Sequence, residues 1–263
     1  MHLFKSGNKY YLSKSGSKYY GWEDDYIISN GQLKWCSPDI YLQNDASNYI
    51  DTGYVAQNNT AIIVDFRVDN VRDISSNTRN WICGSSANYA NPGNFYGGFW
   101  FQGEAASGSR FWLNTTSLGA GNSGSVSSAN FILNKYRLIL ASPYNINYRN
   151  SGNNGSYSTI TQIDNELTIF TKSNSESNWG NISMTTTLFN RKSIITSTNV
   201  FLLGKIYTTT IMEDNNLIMK LVPVPTNLQI GSFTVPSNGM FDIVNQQFYA
   251  NQGTGTFTYG KDS

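Results

Sequence analysis

Charged side chains are scarce in this chain. Only 13% of its 263 residues are Asp, Glu, Lys or Arg, whereas soluble proteins average about 25%. The 18 basic and 17 acidic residues leave a formal net charge of +1. Such a chain has no basic field that could gather phosphates, so we predict no nucleic-acid partner. Asn, Ser, Thr and Gly must cover the surface instead.

Histidine and cysteine are nearly absent. His2 is the only histidine, and Cys36 and Cys83 are the only cysteines. The ligands for the common zinc sites are therefore missing, and a single histidine at the second position argues against a Ser-His-Asp triad. For a protein made in the cytoplasm we expect two buried free thiols rather than a disulfide.

Long apolar runs are missing as well. No stretch of about 18 apolar residues occurs, so we predict no transmembrane helix and no membrane insertion. The first residues, MHLFKSGNKYYLS, contain no apolar core of about 7–15 residues and do not resemble a secretory signal. We expect synthesis in the cytoplasm, without export by a cleaved signal.

The sequence also lacks a stretch in which apolar residues recur with the 3.6-residue period of a helix. Patterns typical of strands occur instead. The run Thr60–Val68 is rich in β-branched residues, which favour strands. The other predicted strands lie at 80–84, 98–102, 110–114, 135–141, 162–171, 200–204, 205–212 and 217–224. Residues 213–216 have the composition of a hairpin turn. The Gly- and Ser-rich segments 103–109 and 117–130 have the composition of loops.

Many short strands separated by turns predict an all-β fold, namely two antiparallel sheets packed as a jelly-roll sandwich. Alternating apolar residues of both sheets would fill its core. The predicted core residues, with their alternating neighbours as the alternative, are Phe66, Trp81, Phe99, Phe101, Leu138, Leu140, Phe170, Leu202, Ile206 and Phe257.

A short repeat marks the first segment. Lys5-Ser-Gly-Asn-Lys-Tyr-Tyr11 returns as Lys14-Ser-Gly-Ser-Lys-Tyr-Tyr20, and each copy places Ser-Gly between β-prone runs, which is hairpin chemistry. We therefore predict a β-hairpin arm over residues 1–37 and a larger domain over 38–263. Contact with nucleic acid through the lysines and tyrosines is the alternative. Since small β ribbons are rarely stable alone, we favour an arm that docks on a partner chain.

The C-terminal part carries a family resemblance. In order come Phe201-Leu-Leu-Gly204, an acidic hairpin, Gly239-Met-Phe-Asp242 and Gly253-Thr-Gly-Thr-Phe257, and near the other end stands Tyr49-Ile-Asp-Thr-Gly53. This pattern resembles the laminin-G-like, concanavalin-A-like jelly-roll domains of tailed-bacteriophage virion proteins. The resemblance covers roughly residues 40–260, and its middle, 85–195, matches only in character. It implies that strands from the two ends of the chain pair in one sheet.

The stretch from 237 to 257 would then close the fold. Gly253 and Gly255 let the backbone turn and approach a neighbour closely. Asp242 is interpreted as a turn or capping carboxylate rather than a catalyst.

Enzymes occur among concanavalin-A-like folds, so hydrolysis has to be considered. Retaining glycosidases need two carboxyl groups about 5–5.5 Å apart, which on a strand means closely spaced Glu and Asp. The nearest pattern is Asp164-Asn-Glu166, which has the composition of a turn, and position 168 is a threonine. We therefore predict that the protein is not an enzyme.

Saccharide binding needs less, namely amide or carboxyl groups for sugar hydroxyls and an aromatic ring for the sugar face. Amide and aromatic residues both occur in the predicted loops between 88 and 149. Trp100 and Trp112 are candidates for stacking on a sugar face, and the alternative for both is a position in the core. The candidate glycan-binding residues are Tyr89, Asn94, Tyr96, Trp100, Trp112, Tyr144, Asn147 and Tyr148.

No cofactor is predicted. Calcium is the alternative that the resemblance raises, and Asp51, Asp69 and Asp73 are the nearest acids to the expected rim. They form no known calcium motif, so an ordinary polar loop is the simpler interpretation.

Taken with the resemblance, these patterns predict a non-enzymatic virion protein of a bacteriophage. Its lectin-like domain would be displayed on a fibre, spike or capsid decoration at the virion surface and would bind host-surface glycans. Residues 1–37 would contact other virion proteins, and a homo-oligomer, with a trimer as first candidate, would supply multivalency. The alternatives are a purely structural decoration or assembly protein and a glycoside hydrolase.

Overall fold

A computed structural model describes residues 2–6, 9–13, 19–22, 25–44, 47–56, 60–69, 80–86, 98–106, 108–117, 120–127, 135–140, 155–162, 168–174, 185–190, 201–214 and 216–263. These residues form 23 strands and no helix, which confirms the predicted all-β class. None of the described segments is a helix long and apolar enough to cross a membrane.

The strands follow one another without intervening helices in the described ranges. The first twelve are β1 (His2–Ser6), β2 (Lys9–Ser13), β3 (Tyr19–Trp22), β4 (Tyr26–Ser29), β5 (Gln32–Cys36), β6 (Ile40–Asn44), β7 (Ile50–Asp51), β8 (Thr60–Val68), β9 (Asn80–Ser86), β10 (Gly98–Ala106), β11 (Gly108–Ser117) and β12 (Ala120–Ser127). The others are β13 (Lys135–Leu140), β14 (Gly155–Gln162), β15 (Thr168–Asn174), β16 (Thr187–Leu188), β17 (Gly204–Glu213), β18 (Asn216–Val224), β19 (Gln229–Ile230), β20 (Phe233–Thr234), β21 (Gly239–Asp242), β22 (Gln247–Tyr249) and β23 (Thr258–Lys261).

Two large antiparallel sheets dominate the structure. The ten-stranded sheet runs in the order β15-β14-β13-β8-β17-β18-β21-β22, and β6 pairs with both β17 and β23. The six-stranded sheet runs in the order β12-β11-β10-β9-β16-β7. The strands β1 to β3 form a separate three-stranded sheet, and β4–β5 and β19–β20 are small hairpins.

One apolar core joins the two large sheets. Ile62, Val64 and Phe66 of β8 lie in the same buried cluster as Ile82 of β9 and Leu188 of β16. Each such side chain contributes ~1.5–3 kcal/mol when fully buried. Of the predicted core residues, Phe66, Leu202, Ile206 and Phe257 belong to this cluster. The remaining six fall on positions whose side chains are outside the described set.

A second apolar cluster covers the other face of the ten-stranded sheet. Val222, Val224 and Phe241 pack there with Leu33 and Cys36 of the β4–β5 hairpin. The Tyr26 hydroxyl donates to the Pro223 carbonyl at 2.9 Å and lies 2.9 Å from the Tyr259 hydroxyl. Residues 26–36, at the end of the predicted arm, are thus packed against the larger domain. The proposed boundary at 37/38 stays a prediction.

The two ends of residues 40–261 pair as the resemblance implied. Strand β23 pairs with β6, with Thr258 opposite Gln43 and Lys261 opposite Ile40. A β-bridge joins Ile50 to Asn251, and the Ser47 and Thr254 hydroxyls lie 2.6 Å apart. The C-terminal segment is therefore held at both of its ends by residues 40–50.

Both cysteines are free and buried, as predicted. Burial raises the pKa of the Cys83 thiol to about 12, and burial together with the charge of Asp25 raises the pKa of Cys36 well above its usual range. Neither thiol is therefore a reactive nucleophile near neutral pH.

Two loop predictions and two strand predictions were wrong in their bounds. Segments 103–109 and 117–130, predicted as loops, contribute the ends of β10 and β11 and all of β12. The single strand predicted at 162–171 is divided between the end of β14 and the start of β15. Residues 201–203 of the strand predicted at 200–204 are not in a strand. In the first case, cross-strand pairing outweighs the low strand propensity of Gly and Ser.

An ion-pair cluster anchors the last residues to the ten-stranded sheet. Asp262 accepts hydrogen bonds from Lys205 Nζ at 2.8 Å and from the Tyr207 hydroxyl at 2.5 Å. Lys205 Nζ also lies 3.5 Å from the centre of the Tyr41 ring, and Lys135 Nζ lies 3.9 Å from that of Tyr207. Because Lys205 and Tyr207 are buried, the cluster needs its carboxylate to be ionised.

Acid should weaken this cluster. Burial alone would raise the pKa of Asp262, but hydrogen bonds from Lys205 and Tyr207 and the charge of Arg67 hold it below its usual value. A carboxyl whose pKa is lower in the folded than in the unfolded state stabilises the fold above the unfolded pKa, and this contribution is lost as pH falls through the folded pKa. We expect the free energy of unfolding to fall below about pH 4, and to fall less for Asp262→Asn.

Urea unfolding of both proteins at neutral and acidic pH measures this difference. Parallel decreases in wild type and Asp262→Asn would contradict the role given to Asp262.

Candidate functional site

A cleft of about 760 Å³ lies where the two large sheets come to an edge. Strand β7 is the last strand of the six-stranded sheet, and β22 is the last in the order of the ten-stranded sheet. The Ile50–Asn251 bridge connects the two walls at one point. The lining residues are Asp51, Thr52, Gly53, Tyr54, Thr185, Met219, Gln247, Phe248, Tyr249, Ala250 and Gln252.

The wall that follows β7 is fixed by hydrogen bonds. The Thr52 amide and hydroxyl both donate to the Thr186 carbonyl, at 3.0 and 2.7 Å, and the Thr186 amide donates to the Tyr54 carbonyl at 2.7 Å. Asp51 Oδ1 accepts a bond from the Gly53 amide at 3.0 Å across a turn in which Gly53 has φ +70°. These bonds therefore hold this wall in a defined conformation.

Tyr54 is held in that wall by its hydroxyl. The oxygen lies 2.6 Å from Thr60 Oγ1 and donates to Glu213 Oε1 at 2.5 Å. Its hydrogen-bonding capacity is thus directed into the protein. What Tyr54 contributes to the cleft is its ring, which also packs against the main core.

The opposite wall carries polar groups that form no hydrogen bond with another described residue. Tyr249 is partly buried, and desolvation, followed by the charge of Asp242, raises its pKa. Its hydroxyl, like the side-chain amides of Gln247 and Gln252, has no hydrogen-bond partner within the described part of the chain. Gln247 and Gln252 are exposed, and Met219 lines the cleft from the core. The cleft thus combines aromatic and apolar surface with free hydroxyl and amide groups.

Asp242 positions this second wall. Its carboxylate is fully buried and accepts bonds from the amides of Lys220 at 3.0 Å and Val244 at 2.9 Å, and from Asn245 Nδ2 at 2.6 Å. The predicted role as a turn carboxylate is confirmed. The same turn is attached to β5 by Gln246, whose amide exchanges two 3.0 Å bonds with the backbone of Leu33.

An asparagine cluster supports the end of the cleft beside Gln252. Asn251 Nδ2 donates to Asn48 Oδ1 at 2.9 Å and to the Gly255 carbonyl at 2.7 Å. Asn251 Oδ1 accepts bonds from the amides of Tyr49 and Gly253. Asn48 itself is fully buried, so this cluster fixes the chain on either side of the β-bridge.

Asp51 is the one charged side chain among the described residues of the lining. Its carboxylate can accept hydrogen bonds from a bound hydroxyl, while the amides opposite can donate and accept. In the part of the chain covered by the structure, no group of three or more His, Cys, Asp or Glu residues could hold a metal ion.

Two of the predicted glycan-binding residues, Trp100 and Trp112, lie in described strands and are not among the described residues that line this cleft. Trp100 lies on β10 opposite Asn114, and Trp112 lies on β11 opposite Gln102, so both are mid-strand positions. Strands β9 and β16 separate β10 from β7. The other predicted positions, Tyr89, Asn94, Tyr96, Tyr144, Asn147 and Tyr148, lie outside the described residues and stay predictions, as does Asp73 for calcium.

Sequence reasoning missed Tyr54, Tyr249, Gln247 and Gln252. Asp51 was considered, but only as an acid near a calcium site. The available signal was the Asp-Thr-Gly-Tyr run directly after a short strand, which suggests a built turn ending on an aromatic ring. The resemblance implies that strands from the two ends of the chain pair, but the local pattern does not show that this run and residues 247–252 form two walls of a cleft.

Comparison with known proteins identifies no family. No family model and no curated protein matches the chain. Eight chains of solved structures match. One is the enzymatically active domain of tailspike protein 2 of bacteriophage CBA120, with TM-score 0.45 and 11% identity over 79% of this chain and 28% of that chain. Another is Scytalido-glutamic peptidase with a peptide-based transition state analogue, with TM-score 0.35 and 8% identity over 69% of this chain and 87% of that chain.

Proposed function

We propose that the protein binds saccharides in the cleft between β7 and β22, without cleaving them. The observation that carries this proposal is the pairing of ring and apolar surface from Tyr54, Tyr249 and Met219 with polar groups of Gln247, Tyr249 and Gln252 that bond to no other described residue. A sugar offers an apolar C–H face and a rim of hydroxyls, which such a surface can match. The cleft also falls within the size range of about 300–1,000 Å³ that is common for ligand sites.

The biological setting is proposed from the sequence resemblance. The protein would be a jelly-roll virion protein of a tailed bacteriophage, displayed at the virion surface and attached to host glycans. A single site of millimolar affinity is worth only about 4 kcal/mol. Many copies, in a homo-oligomer and on the particle, would supply useful attachment. The sheet β1–β3 pairs with no other described strand, which suits a segment that docks on other virion proteins.

Hydrolysis is the second candidate function, and one contact favours it. Tyr54, which lines the cleft, donates a short hydrogen bond to Glu213, and some glycosidases use a tyrosine as the nucleophile. We favour binding because the Tyr54 hydroxyl is engaged by both Thr60 and Glu213, and because Asp51 is the single acid among the described lining residues. Release of reducing ends that is abolished in Asp51→Asn would establish hydrolysis instead.

The test is binding of the full-length chain, displayed multivalently, to an array of bacterial surface glycans with calcium or chelator. We expect Tyr249→Ala to weaken binding about tenfold or more, since it removes both ring contact and a hydroxyl worth ~1 kcal/mol. Tyr249→Phe, which removes only the hydroxyl, should cause a smaller loss.

Tyr96→Ala is the matched control from the middle segment. Loss of binding in Tyr96→Ala but not in Tyr249→Ala would move the site to the middle loops. Absence of binding to any glycan by a folded protein would favour the purely structural role.

A further inference from the structure

The tip of the β4–β5 hairpin consists of two residues, Asn30 and Gly31. Ser29 pairs with Gln32, so only these two residues connect the strands. Both have positive φ, 53° for Asn30 and 71° for Gly31, which is the conformation of a type I′ turn. Both are exposed to solvent. Neither is among the described residues that line the cleft, so the chemistry of this turn is independent of the proposed saccharide site.

An asparagine followed by glycine can lose its side-chain amide without an enzyme. The Gly31 nitrogen, after giving up its proton, would attack Cγ of Asn30, so that a bond from nitrogen to Cγ forms, the bond from Cγ to Nδ2 breaks, and ammonia leaves. Water then opens the succinimide ring at one of its two carbonyl groups and gives aspartate or isoaspartate. Glycine favours ring closure because it has no Cβ atom to obstruct it.

The tripeptide Ser-Asn-Gly occurs again at 237–239, where the asparagine is held. Asn238 Oδ1 accepts a bond from the Thr226 amide at 2.9 Å, and Asn238 Nδ2 donates to the Phe257 carbonyl at 2.9 Å. Gly239 is buried in β21. Both side-chain bonds must break before the amide can approach the Gly239 nitrogen, so Asn238 is protected where Asn30 is exposed.

The hairpin tip has no room for a longer backbone. A Cβ atom added to Gly231, at the tip of the β19–β20 hairpin, would lie 2.7 Å from the Gly31 carbonyl oxygen and 3.0 Å from the Gly31 Cα. The two turns are therefore in close contact. An isoaspartyl residue continues the chain through its own side chain and so adds one methylene group to the backbone. A two-residue turn cannot absorb this added length without moving away from Gly231.

We propose that Asn30 is a site of spontaneous deamidation, and that the isoaspartate formed there loosens the β4–β5 hairpin. The hairpin contributes Leu33 and Cys36 to the second apolar cluster. Loosening therefore exposes the Cys36 thiol to solvent more often. The Cys83 thiol lies in the core between the two large sheets and stays protected.

Incubation of the full-length protein at mildly alkaline pH, followed by peptide mapping with mass spectrometry, tests the modification. Electron-transfer fragmentation distinguishes isoaspartate from aspartate. We expect Asn30 to react at least about tenfold faster than Asn238 in the folded protein, because two hydrogen bonds protect Asn238. In urea, where neither is protected, the two rates should be similar. Equal rates in the folded protein, or an intact Asn30 under conditions in which both react in urea, would overturn the proposal.

Asn30→Gly is the matched variant for the structural consequence. Glycine accepts the positive φ of this turn and has no amide to lose. After the same incubation, iodoacetamide should modify Cys36 severalfold faster in wild type than before, since local opening controls access to a buried thiol. Asn30→Gly should show no such change, and Cys83 should be unaffected in both proteins. Equal Cys36 reactivity in the two incubated proteins would overturn the loosening of the hairpin.

Discussion

Replacing Gly253 by alanine should lower the free energy of unfolding by about 3 kcal/mol or more. A Cβ atom at this position would lie 1.9 Å from the Ser47 carbonyl oxygen and 2.8 Å from the Asn48 Cα. Both are backbone atoms, so no side chain can rotate to make room. The segment after Asn251 would have to separate from residues 47–48, and the β-bridge at Ile50 with it.

Gly53→Ala is the matched control, because it also adds a Cβ atom to a glycine, but at a position where the added atom meets no neighbour. Gly53 has φ +70° but nothing within 4 Å of an added Cβ, so alanine there costs only the left-handed backbone, about 1–2 kcal/mol. Urea unfolding measures both variants. A Gly253→Ala protein no less stable than Gly53→Ala would show that the C-terminal segment is not held closely against residues 47–48.

Replacing Asp242 by alanine should cost a similar amount, about 3–4 kcal/mol. The change leaves the amides of Lys220 and Val244 without their acceptor, and each buried unsatisfied group costs about 1–3 kcal/mol. It also removes one of the two acceptors of Asn245 Nδ2, leaving only the Ile218 carbonyl to hold this residue of the turn between β21 and β22. Since that turn positions Gln247 and Tyr249, saccharide binding should fall as well.

Asp242→Asn distinguishes the contributions of the two carboxylate oxygens of Asp242. The asparagine can keep Oδ1 for the two backbone amides but presents an NH₂ group to Asn245 Nδ2, so a smaller loss of about 1–2 kcal/mol is expected. Asp25→Ala, which removes an exposed partner of Lys261, should change stability by no more than about 1 kcal/mol. An Asp242→Ala protein that unfolds like Asp25→Ala would contradict the positioning role.

The sequence pattern predicted correctly those strands whose own residues have a high strand propensity. Thr60–Val68 is a strand with the predicted bounds, because its β-branched residues suit a buried central strand. The hairpin at 213–216 was equally clear from its acidic and amide residues, and Asp214 has the positive φ of 47° that such a turn requires. Strand β12, AGNSGSVS, could not be found this way because its pairing with β11 decides its conformation.

The candidate site was not predicted from the sequence, and the reason is geometric. Its walls come from Asp51–Tyr54 and Gln247–Gln252, which meet only because β6 pairs with β23 and Ile50 with Asn251. The stretch SNGMFDIVNQQFYANQGTGTF has one charged residue and suggests packing alone. In the structure it both closes the fold, through Gly253 and Phe257, and supplies the free polar groups of one wall.

The most direct test of the saccharide site is a titration of the methyl-labelled methionines, observed by NMR. The chain has five methionines. Met219 lines the cleft, while Met240 is buried in the same core and lines no part of it. We predict that a bound neutral oligosaccharide shifts the Met219 methyl resonance in a saturable manner and leaves that of Met240 in place. A saccharide that binds the protein without moving the Met219 resonance would contradict the account.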